Sequence, residues 1–292
     1  MLSLEVNVEL IAQSFNRTIG SPVSELALTC NCLAEPLLFM PVMNRKLKWR
    51  LESTGTEIIH DDDQLLVLNK PAHLLVLPDR FRHDIRNLYT ILTEELGKIF
   101  VVHRIDKDTS GIIVYAKTPE AHAALNEQFE HRMVEKVYLG IVAGTPPSES
   151  GRIDAPIAEN GREAGVMKVN YRTGKEAVTE FRVLERFTDY AVLELRPRTG
   201  RMHQIRVHLQ SVGTPLLSDR TYGDGRPFYL SHIKPGYRSE GEEKPLLERT
   251  ALHAFAISFD HPKTGERTNL MAEVPKDMNS VMKYLRKFRM PE

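Results

Sequence analysis

The segment VVHRIDKDTSGIIVYAKT, residues 101–118, sets a polar stretch between two strand-like apolar runs. Residues 99–102 and 111–116 are apolar and rich in β-branched side chains, which is typical of buried strands. Between them lies HRID, residues 103–106, with a histidine, an arginine and an aspartate. A solvated turn does not require this set, so we interpret the junction as part of a functional site.

Strand and helix patterns follow one another without a strict βαβ repeat. Thr118, Pro119 and Glu120 form a typical helix start, with an N-cap, a proline in the first turn and an acid beside it. We predict strands near residues 64–69, 134–144, 177–187, 189–197 and 251–274, and helices near 119–132, 202–213 and 278–288. This order favours an α+β fold with a largely antiparallel central sheet flanked by helices.

The first part of the chain lacks these clear patterns. We therefore predict an N-terminal extension over residues 1–55 and a single folded domain over residues 56–292. Residues 221–249 form a long connection with proline, glycine and charges of both signs. Connections of this length are usually functional or disordered.

Charge is balanced overall but uneven locally. The 39 basic and 39 acidic residues give a net charge of zero, which argues against a purely electrostatic nucleic-acid binder. Residues 196–208, however, read RPRTGRMHQIRVH, with four arginines, two histidines and no acid. The balanced total therefore does not exclude a protein whose positive charge is concentrated in one place, and this local cluster is more informative than the total.

The N-terminus and the cysteines indicate the compartment. Glu5 and Glu9 stand where a signal peptide would carry positive charge, and no apolar run is long enough for a membrane span. Cys30 and Cys32 are the only cysteines, too few for a disulfide framework or a cysteine zinc site. We expect unpaired thiols in a soluble, cytoplasmic protein that does not bind membranes.

Five motifs occur in a fixed order. They are LNKPA at 68–72, HRIDKDTSG at 103–111, KVYLGIVAG at 136–144, RTGRMHQIRVH at 198–208 and ALHAF at 251–255. Together they resemble the RluA-type pseudouridine synthases, in which an HRLD-x-x-TSG segment, a K-x-Y strand, an RTGR-x-HQ helix start and an LHA strand follow one another. The resemblance extends from about residue 57 to the C-terminus, with Ile105 in place of the usual leucine and Met202 in place of a common threonine.

This resemblance implies an RNA-modifying isomerase with its catalytic cleft across the sheet. Uridine becomes pseudouridine without redox change or a leaving group, so no metal and no cofactor are expected. The implied catalytic residues are Asp106 as nucleophile or stabiliser of the detached sugar, Tyr138 stacking on the target base, and Arg206 pairing with the aspartate. A carboxylate between strands stays ionised only beside a fixed cation, which is the role expected of Arg206.

The same resemblance implies contacts with RNA. Leu252 is expected to form an apolar wall for the base, and Arg104 to fill the space vacated by the flipped nucleotide or to hold phosphate. Arg198, Arg201 and His203 are expected to contact the RNA backbone, with His208 as a further candidate or a structural residue. Lys70 and Pro71 are expected to shape the fold. The partner is ribosomal RNA or transfer RNA, and a monomer is expected.

Two alternatives remain from the residues alone. A metal hydrolase would use His103, Asp106 and two histidines of residues 203–208, but such a set lacks the usual ligand spacing. A non-catalytic RNA-binding or ribosome-assembly factor could share the fold, although pure binding requires no reactive carboxylate. Tyr138 and Arg206 also have non-functional interpretations. A strand tyrosine is often part of the core, and a helix arginine is often solvated.

Overall fold

The computed structural model describes residues 45–79, 82 and 84–291, and Cys30, Cys32 and most of the predicted extension lie outside this range. Five α-helices occur in the described part: α1 Arg45–Glu52, α2 Leu88–Leu96, α3 Pro119–Glu130, α4 Gln204–Ser211 and α5 Lys276–Phe288. The strands are β1 Glu57–Asp61, β2 Leu65–Lys70, β3 Phe100–Val101, β4 Ser110–Ala116, β5 Glu135–Ala143, β6 Ser150–Asp154, β7 Ile157–Glu159, β8 Met167–Val169, β9 Val178–Arg186, β10 Tyr190–Pro197, β11 Leu252–Asp260 and β12 Arg267–Met271.

Ten of these strands form one sheet in the order β1-β2-β4-β11-β5-β10-β9-β6, with β3 beside β4 and β12 beside β11. Strands β7 and β8 pair separately. Only the β4–β11 pairing is parallel among the strand pairs of the described residues, so the predicted α+β fold with a largely antiparallel sheet is confirmed.

Strand β11 is the centre of this arrangement because it contacts three neighbours. Its first residues pair with β4 and β5, and its later residues pair with β5 and β12. At the β4 junction Gly111 has φ of 112°, and a Cβ there would lie 2.2 Å from the carbonyl oxygen of Ala254. Only glycine allows this close backbone approach, which brings the end of the HRID loop next to the start of β11.

The helices cover the sheet through apolar faces. Thr118 caps α3 by accepting a hydrogen bond from the Ala121 N–H, as its sequence predicted. Helix α1 buries Leu47 and Leu51 in the same core cluster that holds Leu88 and Leu92 of α2. Although α1 lies within the predicted extension, its apolar face therefore packs with the residues that follow it.

One predicted helix begins later than expected, and one long connection, for which no element was predicted, contains short ordered structure. The predicted helix at 202–213 begins only at Gln204, because His203 adopts a left-handed backbone with φ of 54°. The connection 221–249 is anchored by a bridge between Phe228 and Leu247 and contains a short 3₁₀ turn, Leu230–His232. Across the described residues, every helix is too short or too polar to cross a membrane.

Candidate active site

The eight predicted site residues line one open cavity of about 530 Å³. It lies where the HRID loop, β5, the start of α4 and the first residue of β11 meet. The residues are Arg104, Asp106, Tyr138, Arg198, Arg201, His203, Arg206 and Leu252. They come from four separate parts of the chain, so the cavity is a product of the tertiary fold.

The loop between β3 and β4 presents Asp106. The Thr109 N–H donates to the Asp106 carbonyl oxygen at 3.2 Å, which closes a tight turn. Below the turn, the fully buried Lys70 donates to the carbonyls of Lys107 at 3.1 Å and Leu74 at 2.8 Å. Burial lowers the pKa of Lys70 to about 7. Lys70 thus holds the backbone next to Asp106, which agrees with the expected role in shaping the fold.

Arg206 reaches Asp106 from the first turn of α4. Its Nη1 donates to Asp106 Oδ2 at 3.2 Å, and the arginine is 7% exposed. This excludes the alternative of a solvated helix arginine. Asp106 is more open than a carboxylate between strands was expected to be, because its side chain keeps 28% exposure at the edge of the cavity.

A second carboxylate, Asp219, binds Arg206 more closely. Nε and Nη2 of Arg206 donate to the two Asp219 oxygens at 2.7 and 2.8 Å, a bidentate geometry. Asp219 is fully buried and also accepts the backbone N–H groups of Thr221 and Tyr222. Burial opposes its charge, but Arg206 and these N–H groups hold its pKa below the usual value.

Burial alone would lower the pKa of Arg206, whereas its two aspartate partners raise it, so the guanidinium stays charged. The ring of Tyr222 lies under the guanidinium carbon at 4.9 Å, a cation–π distance. Sequence reasoning missed both Asp219 and Tyr222. The available signal was SDRTYG at 218–223, a polar turn directly after a buried apolar pair. The partner of Asp219, however, is Arg206, thirteen residues earlier on α4.

The turn 198–203 is held by one buried amide. Gln204 accepts from the Thr199 hydroxyl at 2.6 Å and from the Arg201 N–H at 3.0 Å, and it donates to the Val178 carbonyl at 2.9 Å. The arginines of this turn remain exposed at the cavity. Arg198 pairs with Glu180 at 2.8 Å, and Arg201 donates from Nε to the Glu176 carbonyl at 3.0 Å.

Two side chains of β5 face the cavity. The ring of Tyr138 packs against buried clusters on both sides, while its residue stays partly exposed. Burial and the charge of Asp106 raise the pKa of Tyr138, so its hydroxyl is protonated at neutral pH. Lys136, two residues earlier, also lines the cavity, and burial lowers its pKa. Sequence analysis quoted Lys136 within its motif without assigning it.

The histidines required by a metal hydrolase are used for other contacts. His103 accepts the Val114 N–H at 3.0 Å and stacks on Phe129, and burial lowers its pKa to about 3. His208 is fully buried between the Thr179 hydroxyl and the Ala155 carbonyl, both at 2.9 Å. These two rings are structural, and the hydrolase set is not assembled.

A different cluster, outside the cavity lining, has the composition of a metal site. His60 and His261 place their Nε2 atoms 2.5 and 3.1 Å from Asp62 Oδ2. However, His261 Nδ1 accepts the N–H groups of Lys263 and Thr264, so the proton must lie on Nε2 and point at Asp62. A histidine that binds a metal through Nε2 normally donates from its other nitrogen, so this cluster fits hydrogen bonding better than a metal.

The cavity concentrates positive charge in a chain with no net charge. Six cationic side chains line it: Arg104, Arg132, Lys136, Arg198, Arg201 and Arg206. Only Asp106 and Glu130 are acidic among its lining residues. A cleft of this sign attracts a polyanion towards Asp106.

Comparison with known proteins agrees with this geometry. The RNA pseudouridylate synthase family matches residues 64–211. Ribosomal large subunit pseudouridine synthase D of Pseudomonas aeruginosa is 39% identical over 249 residues, covering 83% of this chain and 75% of the relative. Dual-specificity RNA pseudouridine synthase RluA of Vibrio vulnificus is 38% identical over 214 residues, covering 72% of this chain and 79% of the relative.

Among solved structures, human RNA pseudouridylate synthase domain containing 4 superposes with a TM-score of 0.62 at 27% identity, covering 85% of this chain and 99% of that one. The family match spans half of the chain and the sequence relatives cover most of it. The fold, the order of motifs and these similarities lead to one conclusion. The chain belongs to the RNA pseudouridylate synthase family and is an enzyme that converts uridine to pseudouridine in RNA.

Proposed function

We propose that the enzyme isomerises a uridine of ribosomal RNA with Asp106 as its single catalytic carboxylate and without metal or cofactor. The observation that carries this proposal is the Asp106–Arg206 contact of 3.2 Å at the edge of a cationic cavity. Ribosomal RNA is favoured over transfer RNA because relatives of high similarity are named for the large ribosomal subunit. Transfer RNA is the alternative substrate.

The reaction breaks the bond between ribose C1′ and uracil N1 and forms a bond between C1′ and C5. The C5 proton passes to solvent and N1 gains a proton, so atoms and charge balance. Asp106 either attacks the reacting nucleotide or stabilises the detached sugar, and both roles require an ionised carboxylate beside the target. Arg206 keeps that charge in place, while Tyr138 and Leu252 border the volume that the base would occupy.

The target uridine must leave its stack to reach Asp106, at a cost of a few kcal/mol. In this proposal Arg104 occupies the vacated position or binds a phosphate, since its side chain is exposed at the mouth of the cavity. Arg198, Arg201 and His203, which line the same cavity, contact the RNA backbone. The cationic side chains that line the cavity around Asp106 support binding of a folded RNA strand.

The proposal includes a catalytic domain of residues 56–292, active as a monomer and located in the cytoplasm. One chain supplies all eight site residues, which supports an active monomer. Helix α1 would extend this domain at its N-terminal side, because Leu47 and Leu51 are buried. Deletion of residues 1–44 is therefore expected to leave a folded enzyme, whereas deletion of residues 1–55 should lower its stability.

The test uses RNA that carries tritium at C5 of uracil, because isomerisation releases tritium and binding alone does not. Ribosomal and transfer RNA transcripts are compared with wild-type protein and Asp106→Asn. We expect release from ribosomal RNA by the wild type and a loss of about 10³-fold or more in the variant, with folding and RNA affinity retained. Full activity of Asp106→Asn would refute the role of Asp106, and release only from transfer RNA would reassign the substrate.

A further inference from the structure

His203 presents an unused hydrogen-bond donor to the catalytic carboxylate. Its Nδ1 lies 2.9 Å from the Tyr222 hydroxyl, and its Nε2 lies 4.0 Å from Asp106 Oδ2. The second distance is too long for a direct hydrogen bond. The residue also adopts φ of 54°, which is uncommon outside glycine and often marks a functional position.

The protonation of the ring follows from the partners of Tyr222. The Met167 N–H donates to the Tyr222 oxygen at 2.8 Å, so this oxygen already acts as an acceptor. Among the described residues, His203 Nδ1 is the only acceptor within reach of the Tyr222 hydroxyl proton. Tyr222 therefore donates to Nδ1, and the neutral ring carries its own proton on Nε2. Burial lowers the pKa of His203, in agreement with a neutral ring.

This Nε2–H points into the cavity without an acceptor among the residues that the structure describes. Beside it, the Asp106 carboxylate can only accept. A single group that accepts from His203 and donates to Asp106 would satisfy both. At about 2.8 Å from each, one hydroxyl oxygen spans a separation of 4.0 Å. The ribose 2′-hydroxyl is both donor and acceptor, and it distinguishes RNA from DNA.

We propose that His203 Nε2–H and Asp106 Oδ2 together bind the 2′-hydroxyl of the target nucleotide, with Tyr222 fixing the histidine tautomer. The inference rests on the proposed function, since it takes Asp106 as the residue beside the target ribose. It gives His203 a defined ligand atom, which goes beyond the general backbone contact expected from its motif. His203 becomes a specificity-determining residue, and Tyr222 becomes a positioning residue that does not touch RNA.

The test is a cycle of protein and substrate changes under single-turnover conditions. The probe is a hairpin from large-subunit ribosomal RNA that the wild type modifies, with [5-³H]uridine or [5-³H]2′-deoxyuridine at the target position. Tritium release is measured for wild type, His203→Leu, His203→Gln and Tyr222→Phe. His122→Gln, on α3 and outside the cavity lining, is the matched control.

Removal of the 2′-hydroxyl should slow the wild type and His122→Gln at least tenfold, which is the size expected for a hydrogen bond to an ionised carboxylate. In His203→Leu the same removal should cost at least threefold less than in the wild type, because only the hydrogen bond to Asp106 remains to be lost. His203→Gln, which keeps an N–H donor, should recover part of the difference. The rate loss caused by removing the 2′-hydroxyl should be smaller in Tyr222→Phe than in the wild type and larger than in His203→Leu.

Equal 2′-deoxy effects in wild type and His203→Leu would overturn the inference. If His203→Leu does not fold, equal effects in wild type and Tyr222→Phe overturn it in the same way. Neither outcome affects the role of Asp106. Conversely, a fully active Asp106→Asn refutes the proposed function, so the two failures are distinguishable.

Discussion

Asp62 and Asp106 both lie beside basic side chains, but they differ in how many hydrogen bonds they accept. Asp62 accepts from His60, His261 and the N–H groups of Gln64 and Leu65. Asp106 accepts one side-chain hydrogen bond, from Arg206 at 3.2 Å. A carboxylate with every position filled stabilises the fold, whereas one with open positions can bind and react with a substrate.

The same contrast appears around Arg206. Its guanidinium is fixed by two short bonds to the buried Asp219 and by the ring of Tyr222, and only Nη1 is directed to Asp106. Asp219 thus anchors the arginine from behind. The positive charge reaches Asp106 without filling its remaining lone pairs, which leaves the Asp106 side chain accessible.

The largest effect is expected for Arg206→Ala, which removes the link between the two aspartates. Asp219 would stay buried without its counterion, at a cost of about 3–5 kcal/mol in the free energy of unfolding. Tritium release should fall about 10³-fold or more, since Asp106 loses its charge partner. Urea unfolding and single-turnover assays measure the two effects. Arg152→Ala, which breaks an exposed pair with Asp154, should change stability by less than about 1 kcal/mol.

Asp219→Asn should have the next largest effect. The amide can still accept the N–H groups of Thr221 and Tyr222 but loses the charge that orients Arg206. We expect kcat to fall about 10- to 100-fold with stability lowered by about 2 kcal/mol. RNA affinity should stay close to that of the wild type, because Asp219 is fully buried. A variant that loses affinity while kcat is unchanged contradicts the anchoring role.

The sequence predicted the parts of the site that short motifs encode. The HRID loop and the arginines at 196–208 were found from local patterns, because strand alternation and charge clustering appear within a few residues. The role of Tyr138 was implied only by the family resemblance, since a strand tyrosine alone is more often part of the core. Asp219 was missed because its role depends on a contact with α4 formed in the folded chain. The left-handed backbone of His203 was missed for a similar reason, since His203 contacts Tyr222 and the adjacent Gln204 bonds to Val178 and Thr179 only in the folded chain.

The fold was predictable to a similar extent. The N-cap of α3 and the strand patterns of β9 and β10 predicted these three elements correctly. The grouping of strands predicted the α+β class. The position of β11 between β4 and β5 could not be read from the sequence, because it depends on the close approach at Gly111. The boundary between extension and catalytic domain at 55/56 stays a prediction, and residues 1–44 lie outside the described range.

A smaller effect is expected when Arg198 and Arg201 are both changed to alanine. Each is exposed and can contact phosphate, but Arg198 also pairs with Glu180. RNA affinity should fall about 3- to 10-fold, and the slope of log affinity against log salt should shrink by about 1 to 2. The chemical step at saturating RNA should be nearly unchanged. Filter binding over a salt series measures both effects. An unchanged slope would show that neither arginine contacts the RNA backbone.

The smallest effect on activity is expected for Asp62→Asn. Burial would raise the pKa of Asp62, but His60 and the backbone N–H groups of Gln64 and Leu65 lower it to about 2, against an ordinary value of 3.8. A lowered pKa means that the ionised side chain stabilises the fold above pH 4 by about 2 kcal/mol. That contribution is lost as the pH falls from about 4 to 2. The stability difference between wild type and variant should therefore be large at pH 6 and shrink towards pH 2.5 in urea unfolding.

The contrast between filled and open carboxylates is tested most directly by measuring Asp106→Asn and Asp62→Asn side by side for tritium release and urea unfolding at pH 7. We predict that Asp106→Asn loses about 10³-fold or more in rate while its stability stays within about 1 kcal/mol of the wild type. We predict that Asp62→Asn keeps its rate and loses about 2 kcal/mol of stability. An active Asp106→Asn, or an Asp62→Asn that is folded but inactive, would contradict the account.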